Sequence, residues 1–136
     1  MSFKDLGVNA ALAKVLHTSG IEKPFPIQKA TLPDAIAGKD ILGRGQTGSG
    51  KTLAFGLALM TRLAGRTAAS MRPLALVLSP TRELAMQISD VIAPLSRSVN
   101  LNSQVVAGGL SYSKQIQALK RGVPIVVATP GRLIDL

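Results

Sequence analysis

Gly45-Gln46-Thr47-Gly48-Ser49-Gly50-Lys51-Thr52 decides how this chain is read. The stretch fits G-x-x-x-x-G-K-[ST], the phosphate-binding P-loop. It stands after the short apolar run Asp40-Ile41-Leu42, which predicts a strand over 40–44, and before an apolar-periodic run, Leu53 to Leu63, which predicts a helix. Glycines at 45, 48 and 50 open backbone conformations closed to other residues, so successive N–H groups can form one nest around an anion. The following helix adds its positive N-terminus. The spacing assigns Gln46, Thr47, Gly48, Ser49 and Gly50 to the phosphate cradle and Lys51 to the β- and γ-phosphates as a point charge. The Thr52 hydroxyl is the expected ligand to Mg²⁺, and Lys51 and Thr52 are the expected catalytic pair.

Length and composition narrow the rest. The 136 residues suit one domain, and the apolar content is Ala, Leu, Ile and Val with few aromatics, the usual filling of buried parallel strands and their covering helices. Absence of cysteine excludes a disulfide framework and a cysteine-ligated zinc site. His17 is the one histidine and reads as a helix-surface residue. A net charge of +9 points to a polyanionic partner, yet the basic residues form no run and locate no surface by themselves. With no secretory leader and no apolar segment of membrane-spanning length, the expectation is a soluble cytoplasmic protein without a membrane partner.

Along the chain, Asn9 to Ser19 has helical apolar spacing and Gly20 is placed to end it. Pro26 opens a second helix through Ile36, which Pro33 should kink or split. Residues 65 to 72 read as an exposed connection. Leu74 to Leu78, bounded by prolines, reads as a fully buried strand, and Thr81 as the cap of a helix through Leu84, Ile88, Val91 and Ile92. Asn102 to Ala107 and Pro124 to Ala128 are further strands, with a Gly108-Gly109 turn and a short helix over 113–120 between them. Strands alternating with helices give an α/β fold of the P-loop NTPase class, a three-layer arrangement around a parallel sheet. Four strands ending at Leu136 make an unfinished sheet, and no acidic residue follows a strand as a second Mg²⁺ ligand should: Asp90 falls inside a helix and Asp135 in a helical turn. The sequence is therefore expected to stop inside its domain.

Phe3, Gly20-Ile21-Glu22-Lys23-Pro24-Phe25-Pro26-Ile27-Gln28, the P-loop, Pro80-Thr81-Arg82-Glu83-Leu84-Ala85, Gly108-Gly109 and Thr129-Pro130-Gly131-Arg132 resemble, in order and spacing, the first half of the DEAD-box RNA helicase core, bacterial type. The likeness covers essentially the whole chain. It implies an ATP-dependent RNA helicase, of which residues 1–136 are the N-terminal part of the first RecA-like domain. Gln28 then resembles the adenine-reading glutamine, with Phe3, Ile21 and Pro26 around ATP or ADP. Phe3 stands equally as an apolar N-terminal anchor. Pro80, Thr81, Arg82, Gly108, Gly109, Thr129, Pro130, Gly131 and Arg132 look like the loops that hold the RNA sugar-phosphate backbone without reading its sequence.

The chain lacks the family's acidic motif, its Ser-Ala-Thr motif and its second domain with arginine fingers. The 136 residues alone are therefore expected to bind and not to hydrolyse. Two further readings stay open, a non-enzymatic ATP- and RNA-binding module and a P-loop NTPase of another class.

Overall fold

Asn9 and Gly20 bracket the first helix as their chemistry demands. In the computed structural model, which describes residues 2–45, 50–109 and 111–135, helix α1 spans Ala10–Thr18. The Asn9 side chain accepts from the Ala11 N–H at 2.8 Å. At the other end Gly20, at φ +84°, allows a Schellman closure: its N–H donates to the His17 carbonyl and that of Ile21 to the Leu16 carbonyl, at 3.0 and 2.8 Å. A 3-10 turn, Lys4–Leu6, precedes α1.

The chain divides into two compact units, Met1–Ala64 and Gly65–Leu136. The first is helical. Helix α2, Pro26–Ile36, packs on helix α3, Lys51–Leu63, around the fully buried Leu12, Leu32, Leu57 and Met60. Pro33 lies inside α2 without splitting it. The lost N–H bond is one of many, and the buried Leu32 keeps the helix seated on its apolar face.

Residues 40–45 form no strand, contrary to the sequence pattern. The run has only two apolar side chains, of which Leu42 is 86% exposed, and the unit's described residues include no other strand to pair with it. An unpaired strand gains no ladder hydrogen bonds. Among the described residues the sheet accordingly has three strands rather than the expected four.

The second unit is α/β. Strands β1 (Ala75–Leu78), β2 (Ser103–Val106) and β3 (Ile125–Ala128) form a parallel sheet in the order β1-β3-β2, and helices α4 (Arg82–Ser98) and α5 (Tyr112–Arg121) make the crossovers. Helix α6, Pro130–Asp135, follows β3. Strand β3 is buried throughout, as an unbroken Ile-Val-Val-Ala run at the centre of a parallel sheet should be. Strand β1 corrects the expectation of full burial. It is an edge strand whose side chains alternate, with Leu76 and Leu78 on an open face. Its continuous apolar run carried no sign of that edge.

The register matches Leu78, Ala128 and Val106 across the sheet, so the loops after all three strands leave from one edge. Thr81 caps α4 as expected, its hydroxyl oxygen accepting from the Leu84 N–H at 3.2 Å. Among the described residues no helix is long and apolar enough to cross a membrane.

Ile125→Ala, at a wholly buried position of β3, is expected to cost about 2–5 kcal/mol in urea unfolding. Leu78→Ala, at a side chain 56% exposed, should stay within about 0.5 kcal/mol. Equal losses at the two positions would contradict β3 as the buried centre of its unit.

Candidate functional site

Pro24 and Pro26 stiffen the chain ahead of α2, and Pro26 takes the first helical position, where a missing N–H costs nothing. Gln28 sits two residues further on. It is 2% exposed, and its side chain turns back so that Oε1 accepts from the Phe25 N–H at 2.8 Å. This is the half of a capping box that Phe25, whose ring has no acceptor, can join. The Gln28 Nε2 donates to the Gly50 carbonyl at 3.2 Å. One buried amide therefore ties the proline-rich loop to the last glycine of the phosphate-binding sequence.

Gly50 is in the left-handed region at φ +86°, and a Cβ there would stand 2.5 Å from Gln28 Nε2 and 2.9 Å from the Phe25 ring. Only glycine meets both conditions. Helix α3 begins at the next residue, and Gly50 as its N-cap has no side chain to bond its first N–H groups. Lys51 is exposed and Thr52 half-buried at that N-terminus. The N-terminus of a thirteen-residue helix with a lysine at its first position suits a phosphate group. Gln46, Thr47, Gly48 and Ser49, assigned to the cradle from sequence, lie outside the described residues.

Phe3 and Ile21 line one cavity with Lys14, His17 and Glu22. Phe3 is almost wholly buried, whereas Ile21, held by the Schellman closure, is 38% exposed. His17 lies at the helix surface, its Nδ1 4.0 Å from Glu22 Oε1. Asp5 nearby is held below the usual carboxylate range by the Ser2 backbone N–H and then by the Ser2 hydroxyl. Among the described residues no cluster of His, Asp or Glu could hold a metal by itself. Thr52 remains the one sequence-assigned ligand, and its hydroxyl oxygen at the helix start suits a hard cation shared with phosphate oxygens.

In the second unit the three candidate loops share the sheet edge described above. The Ser79 N–H donates to the Ala128 carbonyl and the Thr129 N–H to the Val106 carbonyl, both at 2.9 Å, which continues the ladder into the loops. Pro80 and Thr81 are exposed, and Arg82 opens α4. The Arg82 guanidinium lies against Gly109, which has φ +82°, a left-handed conformation that favours glycine. Gly108 is exposed beside it. Pro130, Gly131 and Arg132 form the first turn of α6 rather than an irregular turn. Arg132 Cζ stands 5.3 Å over the Tyr112 ring, and its Nη1 donates to Gln115 Oε1 at 3.4 Å.

A family model of the DEAD/DEAH box helicases matches residues 25–136, most of the chain. This chain belongs to that family. Over 139 aligned residues the DEAD/DEAH chain is 44% identical to an ATP-dependent RNA helicase RhlB of Xanthomonas oryzae pv. oryzae, covering 99% of itself and 24% of that protein. The RNA-helicase Prp28 from Chaetomium thermophilum, solved bound to ADP, matches it with a TM-score of 0.89 at 36% identity, over 98% of this chain and 33% of its own. The chain thus spans about a quarter of the length of the RhlB relative.

Sequence reading missed three residues of this DEAD/DEAH chain's candidate sites: Phe25 against Gly50, Tyr112 under Arg132, and Gln115. A signal existed for Gln115. It falls on the apolar stripe of α5 with Ala118 and Leu119, where a polar side chain must be buried with partners.

Gly50→Ala is expected to lower unfolding stability by about 1–3 kcal/mol with no nucleotide present, because the new Cβ displaces the Gln28 amide and strains the backbone. Thermal melts of the free chain check this. A melting temperature unchanged from that of the unaltered chain would remove the Gln28–Gly50 link.

Proposed function

We propose that the chain binds ATP through its first unit and the sugar-phosphate backbone of RNA through its second, as the nucleotide-binding part of an ATP-dependent RNA helicase. The observation that carries this reading is the Gln28 amide bonded to both the Phe25 N–H and the Gly50 carbonyl. A primary amide has two N–H donors and two acceptor lone pairs. Each internal bond uses one, so one donor and one acceptor remain. Adenine asks for that pair: its N6 amino group donates and its N7 accepts. Guanine has an acceptor at the exocyclic position and leaves the Gln28 oxygen unmatched. Phe3, Ile21 and Pro26 bound the base in this reading.

The Gly50 link sets the base-reading residue beside the start of α3, where Lys51 and the helix N–H groups meet the phosphates. Gln46 to Ser49 complete the cradle by the P-loop spacing. When Mg²⁺ is bound with the nucleotide, Thr52 is the residue that would hold it, and the ion supplies charge neutralisation on the phosphate oxygens. The ADP bound to the Prp28 relative supports an adenine nucleotide here.

On the second unit, Thr81, Arg82, Gly108, Gly109 and Thr129 to Arg132 present hydroxyl, guanidinium and backbone donors along one edge. Such donors recognise phosphate rather than bases. The RhlB relative's description as an RNA helicase supports RNA as the polyanion, and a net charge of +9 suits it. A cytoplasmic setting belongs to the same reading.

Two results follow for the 136-residue chain. ADP should compete far better than GDP, and Gln28→Ala should weaken ADP by about 1–3 kcal/mol, the range for a buried group left unsatisfied. Calorimetric titration giving GDP the same affinity as ADP would sink the adenine assignment. ATP turnover should match background even with saturating RNA. Arginine fingers alone contribute about 10³ to 10⁵ in rate, and among the described residues no cluster of His, Asp or Glu could hold a metal ion by itself. RNA-stimulated phosphate release that Lys51→Ala abolishes would show these residues to be sufficient. The helicase activity itself is proposed for a longer protein with the relative's remaining length.

A further inference from the structure

Outside the expected site residues, the second unit buries the Gln115 side chain, an amide 2% exposed on α5. It makes one bond to the β2–α5 loop and one to the first turn of α6. Its Nε2 donates to the Ala107 carbonyl at 3.1 Å, one residue before the Gly108-Gly109 turn, and its Oε1 accepts from Arg132 Nη1 at 3.4 Å. On the same helix, one turn earlier, the Tyr112 ring lies under the Arg132 guanidinium. Arg132 is thus held in its plane by an acceptor and across its face by an aromatic ring. A guanidinium fork keeps its directional bonding only when its plane is fixed.

We infer that Gln115 is a positioning residue for RNA binding, joining the Gly108-Gly109 turn and the Arg132 guanidinium into one preorganised phosphate-binding edge. The inference rests on the RNA-backbone reading of that edge. Gln115 need not touch RNA to act. Its amide holds the residue before the turn whose Gly109 lies beside the Arg82 guanidinium, so the turn next to one arginine and the guanidinium of the other share a support. Removing that support leaves both charges present but lets each search for its phosphate, which weakens binding through ordering rather than through lost charge.

The test uses the intact 136-residue chain and fluorescein-labelled single-stranded polyuridine, followed by fluorescence anisotropy over a range of salt. Salt-sensitive binding by the unaltered chain is the baseline, and its absence would remove the RNA reading and this inference together. Given that baseline, Gln115→Met, close in size but without the donor and acceptor, is expected to weaken RNA about tenfold in the unaltered chain and less than about twofold in an Arg132→Met background. Equal losses in both backgrounds would overturn the positioning role while leaving RNA binding intact, since a purely structural defect acts whether or not Arg132 is there. Arg132→Lys gives a second result on a half-buried side chain, independent of whether Gln115→Met folds. It keeps the charge and loses the fork, so it should bind as weakly as Arg132→Met. A lysine variant binding as well as the unaltered chain would also overturn the inference.

Discussion

Burying a primary amide obliges a fold to supply partners for its donors and acceptors, and each unit of this chain organises its candidate loops around one such group. Gln28 and Gln115 are both about 2% exposed. An unsatisfied amide at either place would cost about 1–3 kcal/mol, a large share of the stability of a small domain. The loops that satisfy them are therefore fixed relative to the helices that carry the glutamines. In the first unit the partners are Phe25 and Gly50, and in the second they are Ala107 and Arg132.

Charge and geometry divide the work differently in the two units. In the first, the N-terminus of α3 supplies partial positive charge and Lys51 a whole one, concentrated at one point. In the second, the parallel sheet delivers three loops to one edge, and Arg82 and Arg132 spread their charge along it. A point suits a terminal phosphate. A line of donors suits a polymer of phosphates, and on the proposed reading it gives affinity without sequence preference.

Much of this was legible in the sequence because it rests on local chemistry. Asn9, Gly20 and Thr81 mark helix ends through bonds to their own neighbours, Pro26 marks one by its fixed φ and missing N–H, and the Ile-Val-Val-Ala run marks a buried strand wherever it pairs. The family was legible in the order and spacing of its motifs, and the match over residues 25–136 bears that out. What stayed hidden depends on distant partners. The run at 40–44 reads as a strand until no partner is found, and Leu74 to Leu78 reads as fully buried until β1 turns out to be an edge. Gln115 reads as one more polar helix residue until its stripe is known to face the sheet. Pro33 reads as a kink or a split, yet α2 runs unsplit through it with Leu32 buried beside it.

The direct test of the shared role of Gln28 is its own side-chain amide resonance. In a heteronuclear NMR titration of the isotope-labelled chain, saturating ADP should shift the Gln28 Nε2 protons and the Gly50 amide together, with one common affinity, while GDP at the same concentration leaves the Gln28 signal in place. An unmoved Gln28 amide at saturating ADP, or the same shift with GDP, would contradict a base-reading residue joined to the phosphate loop.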